Sequence, residues 1–337
     1  MRETLKRIVP ESVIAWVRGA QASRKLRKET IRQMRRFERN YARRGSMRKE
    51  HLETRIVYFT HQIEKGLSHR DFRYGFGKGV LSEFAPLLVA LRKVDSSYQT
   101  NEIYRSAVCA LHEYCQRHEE AKYDLDYIAG LFPADLWNDI EHADYHEGGV
   151  LSITAESKRK NNELTFSELS EARHSLREYS DAPVSVQDLE QAVQAAMRTP
   201  SVCNRQPTRV HIVTNKALIK QLLKVQGGFR GYHMPPALIL LTADNQAFMN
   251  QDERNEGFTD GGLFGMSLLL ALEERQLAAC PLNTMLPMER DDATRKLLNL
   301  PDSEFLVMYI AVGHFLPETK TCMSRRFDAA NIVTVHA

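Results

Sequence analysis

No apolar run in this 337-residue chain approaches the roughly 20 residues that a membrane-crossing helix needs, and no basic, apolar, small-residue series resembles a secretion signal. The expectation is a cytoplasmic protein, with peripheral membrane contact left open. There are five cysteines, Cys109, Cys115, Cys203, Cys280 and Cys322, without a CxxC pair or nearby histidine spacing, which argues against both a disulfide framework and a zinc site. Free thiols and no metal are therefore expected. The glycine-rich stretch "HQIEKGLSHRDFRYGFGKG" (61–79) lacks the spacing of a GxxxxGK[ST] phosphate loop and reads as a folded, aromatic-rich loop. No internal repeat is visible.

What is present is ordinary in bulk, 43% hydrophobic and 26% charged, and unevenly charged along the chain. Residues 1–49 carry 16 Lys and Arg against 4 Asp and Glu, a net +12; the remaining 30 basic and 39 acidic residues leave −9 for the rest. Leu5, Ile8, Val9, Val13, Trp16 and Val17 recur at helical spacing, with Pro10 as a kink or break, and a second, very basic helix is expected over 23–50. Such an arm could meet an anionic membrane or simply be a solvated face. It lacks the aromatic and base-reading groups of a nucleic-acid module, so no nucleic-acid partner is expected.

Further helices are expected near 80–95 and 100–120, then a boundary between 147 and 165. Beyond it the texture alternates. "SVQDLEQAVQAAMR" has a serine cap and helical periodicity, "RVHIVTN", "PALILLTAD" and "EFLVMYIAVG" read as strands, and the helix from Asp260 to Gln276 is apolar nearly all round. The fold class is α+β, a mostly helical region over 1–160 followed by a mixed domain over 161–337.

Three polar clusters punctuate that domain. "RHSLR" (173–177) offers guanidinium forks and a hydroxyl of the kind that hold phosphate oxygens, and "SRRF" (324–327) adds a second arginine pair. "PSVCNRQP" (200–207) fixes Ser201, Asn204 and Gln206 between two prolines, which hold the intervening backbone. With "TDGGLFGMSLLLALEERQLAACPLN" between them, the four motifs occur in the order found in the nitroreductase family of flavin enzymes, which the chain resembles from about residue 165 onward. "QGGFRGY" through "DERNEGFTDGG" is similar to a subgroup from bacterial surface-polysaccharide gene clusters. Thr208 and Ala278–Ala279 depart from the family, which usually has tryptophan and glycine there.

The resemblance implies a three-layer α/β/α flavin domain that acts as a homodimer. It implies FMN as cofactor and NAD(P)H as electron donor, with ping-pong hydride transfer through the flavin N5 to a small acceptor. Arg173, Arg326 and Arg325 would lie at the phosphate, His174 and Ser175 along the ribityl chain or pyrimidine edge, and Arg177 among the cofactor contacts. Ser201, Asn204 and Gln206 would reach the flavin from the second subunit, and a turn at Cys280, Pro281, Leu282 and Asn283 would pass beside the ring. No side chain is expected as a dedicated acid or base. The alternative is a flavin-binding or membrane-peripheral assembly protein without turnover.

Overall fold

The computed structural model describes residues 10–143 and 145–336. Leu5, Ile8 and Val9 of the expected apolar stripe lie outside the described residues. The helices are α1 (Glu11–Asn40), α2 (Lys49–Leu67), α3 (Lys78–Val94), α4 (Glu102–Glu119), α5 (Asp126–Ala129), α6 (Ala134–Glu141), α7 (Phe166–Ala172), α8 (Val186–Ala196), α9 (Lys216–Gln226), α10 (Glu256–Glu274) and α11 (Met288–Leu298). The strands are β1 (Val150–Thr154), β2 (Thr208–Val213), β3 (Ala237–Asp244), β4 (Leu277–Asn283), β5 (Glu304–His314) and β6 (Glu318–Cys322).

Among the described residues the basic arm forms a single helix. α1 starts directly after Pro10, its N-cap, as a break there would have it, and runs through Gly19 to Asn40. A single interior glycine costs only about 1 kcal/mol and does not break a helix. The helix stops ten residues before the expected end, where Tyr41 is extended and Gly45 turns the chain with φ +82°. No residue of α1 is buried.

α2, α3 and α4 build the first core. Leu52, Ile56, Ile63 and Leu67 face Phe84, Leu88, Leu91, Leu111 and Tyr114. Of the stretch 61–79, expected as a loop, residues 68–77 do connect α2 to α3, while 61–67 and 78–79 belong to those helices. Gly66 is required there, because a Cβ would lie 1.8 Å from the Phe76 ring.

The second half centres on an antiparallel sheet in the order β2-β3-β5-β4. Its strands alternate at period two between two cores. Ile239, Leu241, Ile310 and Val312 pack with Leu189, Phe264, Leu268 and Leu272 of α8 and α10. Leu238, Leu240, Tyr309 and Ala311 pack on the other face with Ile219 and Leu222 of α9. Helices on both faces of the sheet make the expected three layers. The expected turn at Cys280–Asn283 is instead the end of strand β4, paired along its length with β5. Pro281 is tolerated there because β4 is last in the sheet order. α10 is less uniform than its sequence suggests: it buries Phe264, Leu268 and Leu272 but leaves Phe258, Leu263 and Met266 exposed.

β1 pairs with β6 in a separate two-stranded ribbon, Val150 opposite Cys322. That ribbon brings the chain's tail back to α2, so the helical region and the last motif meet.

Candidate functional site

α7 opens with a capping box, in which Thr165 and Glu168 bond each other's backbone N–H, and it ends at Ala172. From there the chain is extended: Ser175 bridges Ala279 in parallel, and the Leu176 N–H donates to the Ala279 carbonyl at 3.0 Å. Leu176 goes into the core, while Arg173, His174, Ser175 and Arg177 line a cavity of about 600 Å³. The far wall is the tail after β6, where Ser324 (φ +48°) turns Arg325 and Arg326 onto the same cavity. Two motifs 150 residues apart in sequence thus share one space.

The four arginines are not equivalent. Arg325 is bound to two carboxylates, Glu102 at 3.2 Å and Glu147, and so ties the tail to α4. Arg326 is exposed and, among the described residues, bonds only the Ser324 carbonyl. Arg173 reaches Ser175 Oγ at 3.4 Å, but its Nε is buried without a partner. Burial lowers the Arg173 pKa, Glu273 opposes this and the charge of Arg326 adds to it; a guanidinium remains charged nonetheless. A buried cationic fork with an orphaned donor, facing a second arginine across a cavity, suits a phosphate dianion. His174 is pushed towards its neutral form, chiefly by burial, and its Nδ1 lies 2.9 Å from the Ala172 carbonyl. Only an N–H can satisfy that carbonyl, so Nε2 is left as an acceptor.

Below Arg173 lies a buried pair. Lys158 Nζ donates to Glu273 Oε1 at 2.7 Å and to the Ala172 carbonyl, and Asn161 Nδ2 donates to the same carboxylate at 3.1 Å.

The loop 200–207 is built as a held platform. Cys203, Asn204 and Gln206 all have positive φ, at 47°, 55° and 51°, a conformation that costs roughly 1–2 kcal/mol for each residue that carries a Cβ. Asp260 accepts the Val202 N–H at 3.2 Å, and Arg205 forms a two-point pair with Glu253 at 2.8 and 2.9 Å. Ser201 Oγ accepts the Gln206 N–H at 3.0 Å, and Gln206 Nε2 donates to Asn204 Oδ1 at 3.2 Å. Ser201 and Gln206 line a second cavity with Asp260 and Phe264, which shares no residue with the arginine cavity. Within one chain the two sets of polar groups are therefore not brought together.

The β4 residues divide by pleat. Cys280 and Leu282 point into the core, where burial raises the Cys280 thiol. Pro281 is half-buried, and Asn283 is exposed, with its Oδ1 accepting the Met285 N–H at 2.6 Å. None of the four lines the arginine cavity.

Three residues of α2 reach this region and were not singled out by sequence. Glu64 is buried and accepts the Ser324 N–H at 3.3 Å, His61 Nδ1 lies 3.6 Å from Glu64, and Lys65 Nζ donates to the Gly228 carbonyl at 3.3 Å. The available signal was polar residues at three- and four-residue spacing among the apolar Ile56, Ile63 and Leu67. His61, Glu64 and Cys322 could together reach a metal ion. Arg177, however, lies 3.4 Å from His61 Nε2 and 3.6 Å from Cys322 Sγ, so a cation there would face a guanidinium.

Residues 171–229 and 227–314 match the sequence model of the nitroreductase family. Residues 171–314, less than half of the chain, are thus similar to that family. Among similar proteins, one from Archaeoglobus fulgidus, described as a candidate NADH dehydrogenase/NAD(P)H nitroreductase, is 28% identical over 145 residues, 42% of this chain and 80% of that protein. The FMN reductase [NAD(P)H] of Bacillus subtilis is 25% identical over 155 residues, 42% of this chain and 61% of the reductase. Among solved structures, a candidate NADH dehydrogenase/NAD(P)H nitroreductase from Parabacteroides distasonis aligns with TM-score 0.45 and 23% identity, over 51% of this chain and 97% of its own. The family match begins at residue 171, after the helical region.

Proposed function

We propose that the protein is an FMN-dependent NAD(P)H oxidoreductase acting on a small acceptor, with the flavin domain over 161–337 and the helical extension over 1–160. The observation that carries this is the pairing of Arg173, with its buried orphan Nε, and carboxylate-free Arg326 across one cavity. Those two hold the terminal phosphate, and Ser175 offers a hydroxyl beside them. When bound, FMN supplies the two-electron chemistry, taking hydride from NAD(P)H at N5 and passing it on in ping-pong order. The chain's part is to hold, orient and shield that group. The relatives named as FMN reductase and NAD(P)H nitroreductase support the same reading.

A homodimer completes the site. Loop 200–207 has a cavity of its own, and Phe258, Leu263 and Met266 leave an uncovered apolar stripe on α10. A twofold axis at that stripe can carry the polar loop of one protomer to the arginine cavity of its partner. The test is the purified protein itself: a yellow colour, FMN rather than an adenine-containing flavin on denaturation, and NAD(P)H oxidation with a quinone. A chain that takes up no flavin on reconstitution sinks the reading.

One observation favours an additional reading for α1, peripheral contact with anionic membrane. Trp16, Met34 and Phe37 are 74%, 56% and 69% exposed on one side of the helix. α1 carries 9 Lys and Arg against 3 Glu, and it touches the body through Lys25 to Asp252 at 2.7 Å and through Gln33 to Arg254 and Asn255 at 3.0 Å. Apolar burial and attraction to anionic lipid add in such a helix. Among the described residues no helix is long and apolar enough to cross a membrane. Flotation with anionic vesicles decides: the full chain floats, and a Trp16→Ser, Phe37→Ser variant does not. Equal flotation of both removes this reading.

A further inference from the structure

We propose that the helical extension supplies part of the same site: Lys65 of α2 and Arg177 together form a seat for one negative charge. Several half-buried cations of this molecule are matched to acids, Lys158 to Glu273, Arg205 to Glu253 and Arg325 to Glu102 and Glu147. Lys65 and Arg177 are not. Lys65 Nζ has one partner, the Gly228 carbonyl at 3.3 Å. Arg177 makes three long contacts, to the Ser175 carbonyl at 3.5 Å, Cys322 Sγ at 3.6 Å and His61 Nε2 at 3.4 Å. Among the described residues neither forms an ion pair with a carboxylate; burial and then the charge of Arg177 lower the Lys65 pKa, while for Arg177 burial is outweighed by the thiols of Cys280 and Cys322 and its pKa is raised.

The surroundings hold this arrangement in place. A guanidinium can only donate, so His61 Nε2 accepts from it and the imidazole proton sits on Nδ1, towards Glu64. Glu64, the acid on the same helix, is already taken by the Ser324 N–H and His61. Lys65 lies one helical turn after His61, on the same face of α2. The Tyr232 hydroxyl fixes that turn by donating to the Lys65 carbonyl at 3.0 Å, and His69 stacks on the Tyr232 ring at 3.8 Å. Buried charge without a partner is costly, and an anion offsets it. Arg177 lines the arginine cavity, and four residues of extended chain, roughly 13 Å, separate it from Arg173. The molecule therefore has two cationic centres along one segment, one made by the family domain alone and one that exists only because the extension packs against it.

The charge has two possible sources, negative charge on the pyrimidine part of the flavin once reduced, or an anionic group on the acceptor. The first source rests on the flavin reading. The full chain is compared with Lys65→Met and Lys65→Arg in two measurements: the reduction potential of bound FMN, by equilibration with a reference dye, and the affinity for benzoate, by calorimetry on loaded and flavin-free protein. If the cofactor is the source, Lys65→Met weakens reduced FMN about tenfold relative to oxidised FMN, a drop of about 30 mV for a two-electron couple, and benzoate affinity is unchanged. If the acceptor is the source, the potential holds and benzoate affinity falls about tenfold. In both cases Lys65→Arg restores most of the loss, which a packing role would not predict. Changes under twofold in both measurements overturn the proposal. A chain that binds no FMN refutes the flavin reading alone, because benzoate binding to the flavin-free chain still reports on the pair.

Discussion

The buried pair beneath Arg173 gives the sharpest quantitative test. Lys158 and Glu273 have side chains only 4% and 2% exposed, and their 2.7 Å bond is supported by Asn161. Burial raises the Glu273 pKa even with Lys158 and Asn161 pulling it down. Lys158→Met removes the cation bonded to that carboxylate, and breaking a buried pair in this way costs about 3–5 kcal/mol. A ceiling applies, because the orphaned carboxyl can take up a proton. Each pH unit above an unfolded pKa of about 4.3 makes that proton cost about 1.36 kcal/mol, so the charge-related loss is capped near 3.7 kcal/mol at pH 7 and near 1 kcal/mol at pH 5. In the variant the folded carboxyl titrates above the unfolded one, so the folded state binds more protons and stability falls as pH rises from about 4.3 towards the folded pKa. Urea unfolding should therefore show Lys158→Met losing about 2–3 kcal/mol more at pH 7 than at pH 5. The double variant Lys158→Met, Glu273→Leu should lie within about 1 kcal/mol of the parent, since an apolar replacement of a buried pair is often neutral. Equal losses at the two pH values, or a double variant as unstable as the single one, would refute the reasoning.

Arg326→Ala should weaken FMN binding by about 1.5–3 kcal/mol, the range for a hydrogen bond to a charged group, whereas Arg325→Ala, whose partners are Glu102 and Glu147, should lower thermal stability and leave FMN affinity within about threefold. Fluorescence titration separates the two, and equal losses of affinity would contradict the distinction. Glu253 is held down to about 2, first by its bond to Arg205 and then by the Met249 N–H. A depressed carboxylate stabilises above its ordinary pKa and loses that contribution as pH falls towards about 2, so loop 200–207 should loosen over that window in the parent but already be loose in Glu253→Gln, as read by amide hydrogen exchange. Leu263→Asp, on the exposed stripe of α10, should yield monomers in sedimentation without unfolding the chain; an intact dimer would move the interface elsewhere.

How much of this site the sequence reveals depends on the distance over which each feature is decided. "RHSLR" and "PSVCNRQP" are legible because much of their geometry is local: Ala172 ends a capped helix, and the prolines and the Gln206 N–H bond to Ser201 Oγ shape the loop. β4 is misread as a turn because alanines and a proline carry no strand propensity; its state is set by pairing with Met308–His314 across a helix and a loop. The tail arginines show the limit more clearly. Arg325 and Arg326 are identical neighbours, and what separates a structural tie from a cation without a carboxylate partner is the placement of Glu102 and Glu147, more than 170 residues earlier. Lys65 is the same case in reverse: its sequence setting, a polar residue near a helix end, is common on any surface, and it acquires significance only when the β1–β6 ribbon brings the tail and α2 together beside Arg177. A signature that ends at the family boundary leaves out the extension for that reason, and a domain cut off at residue 160 would keep every recognisable motif while losing one of the two cations beside Cys322.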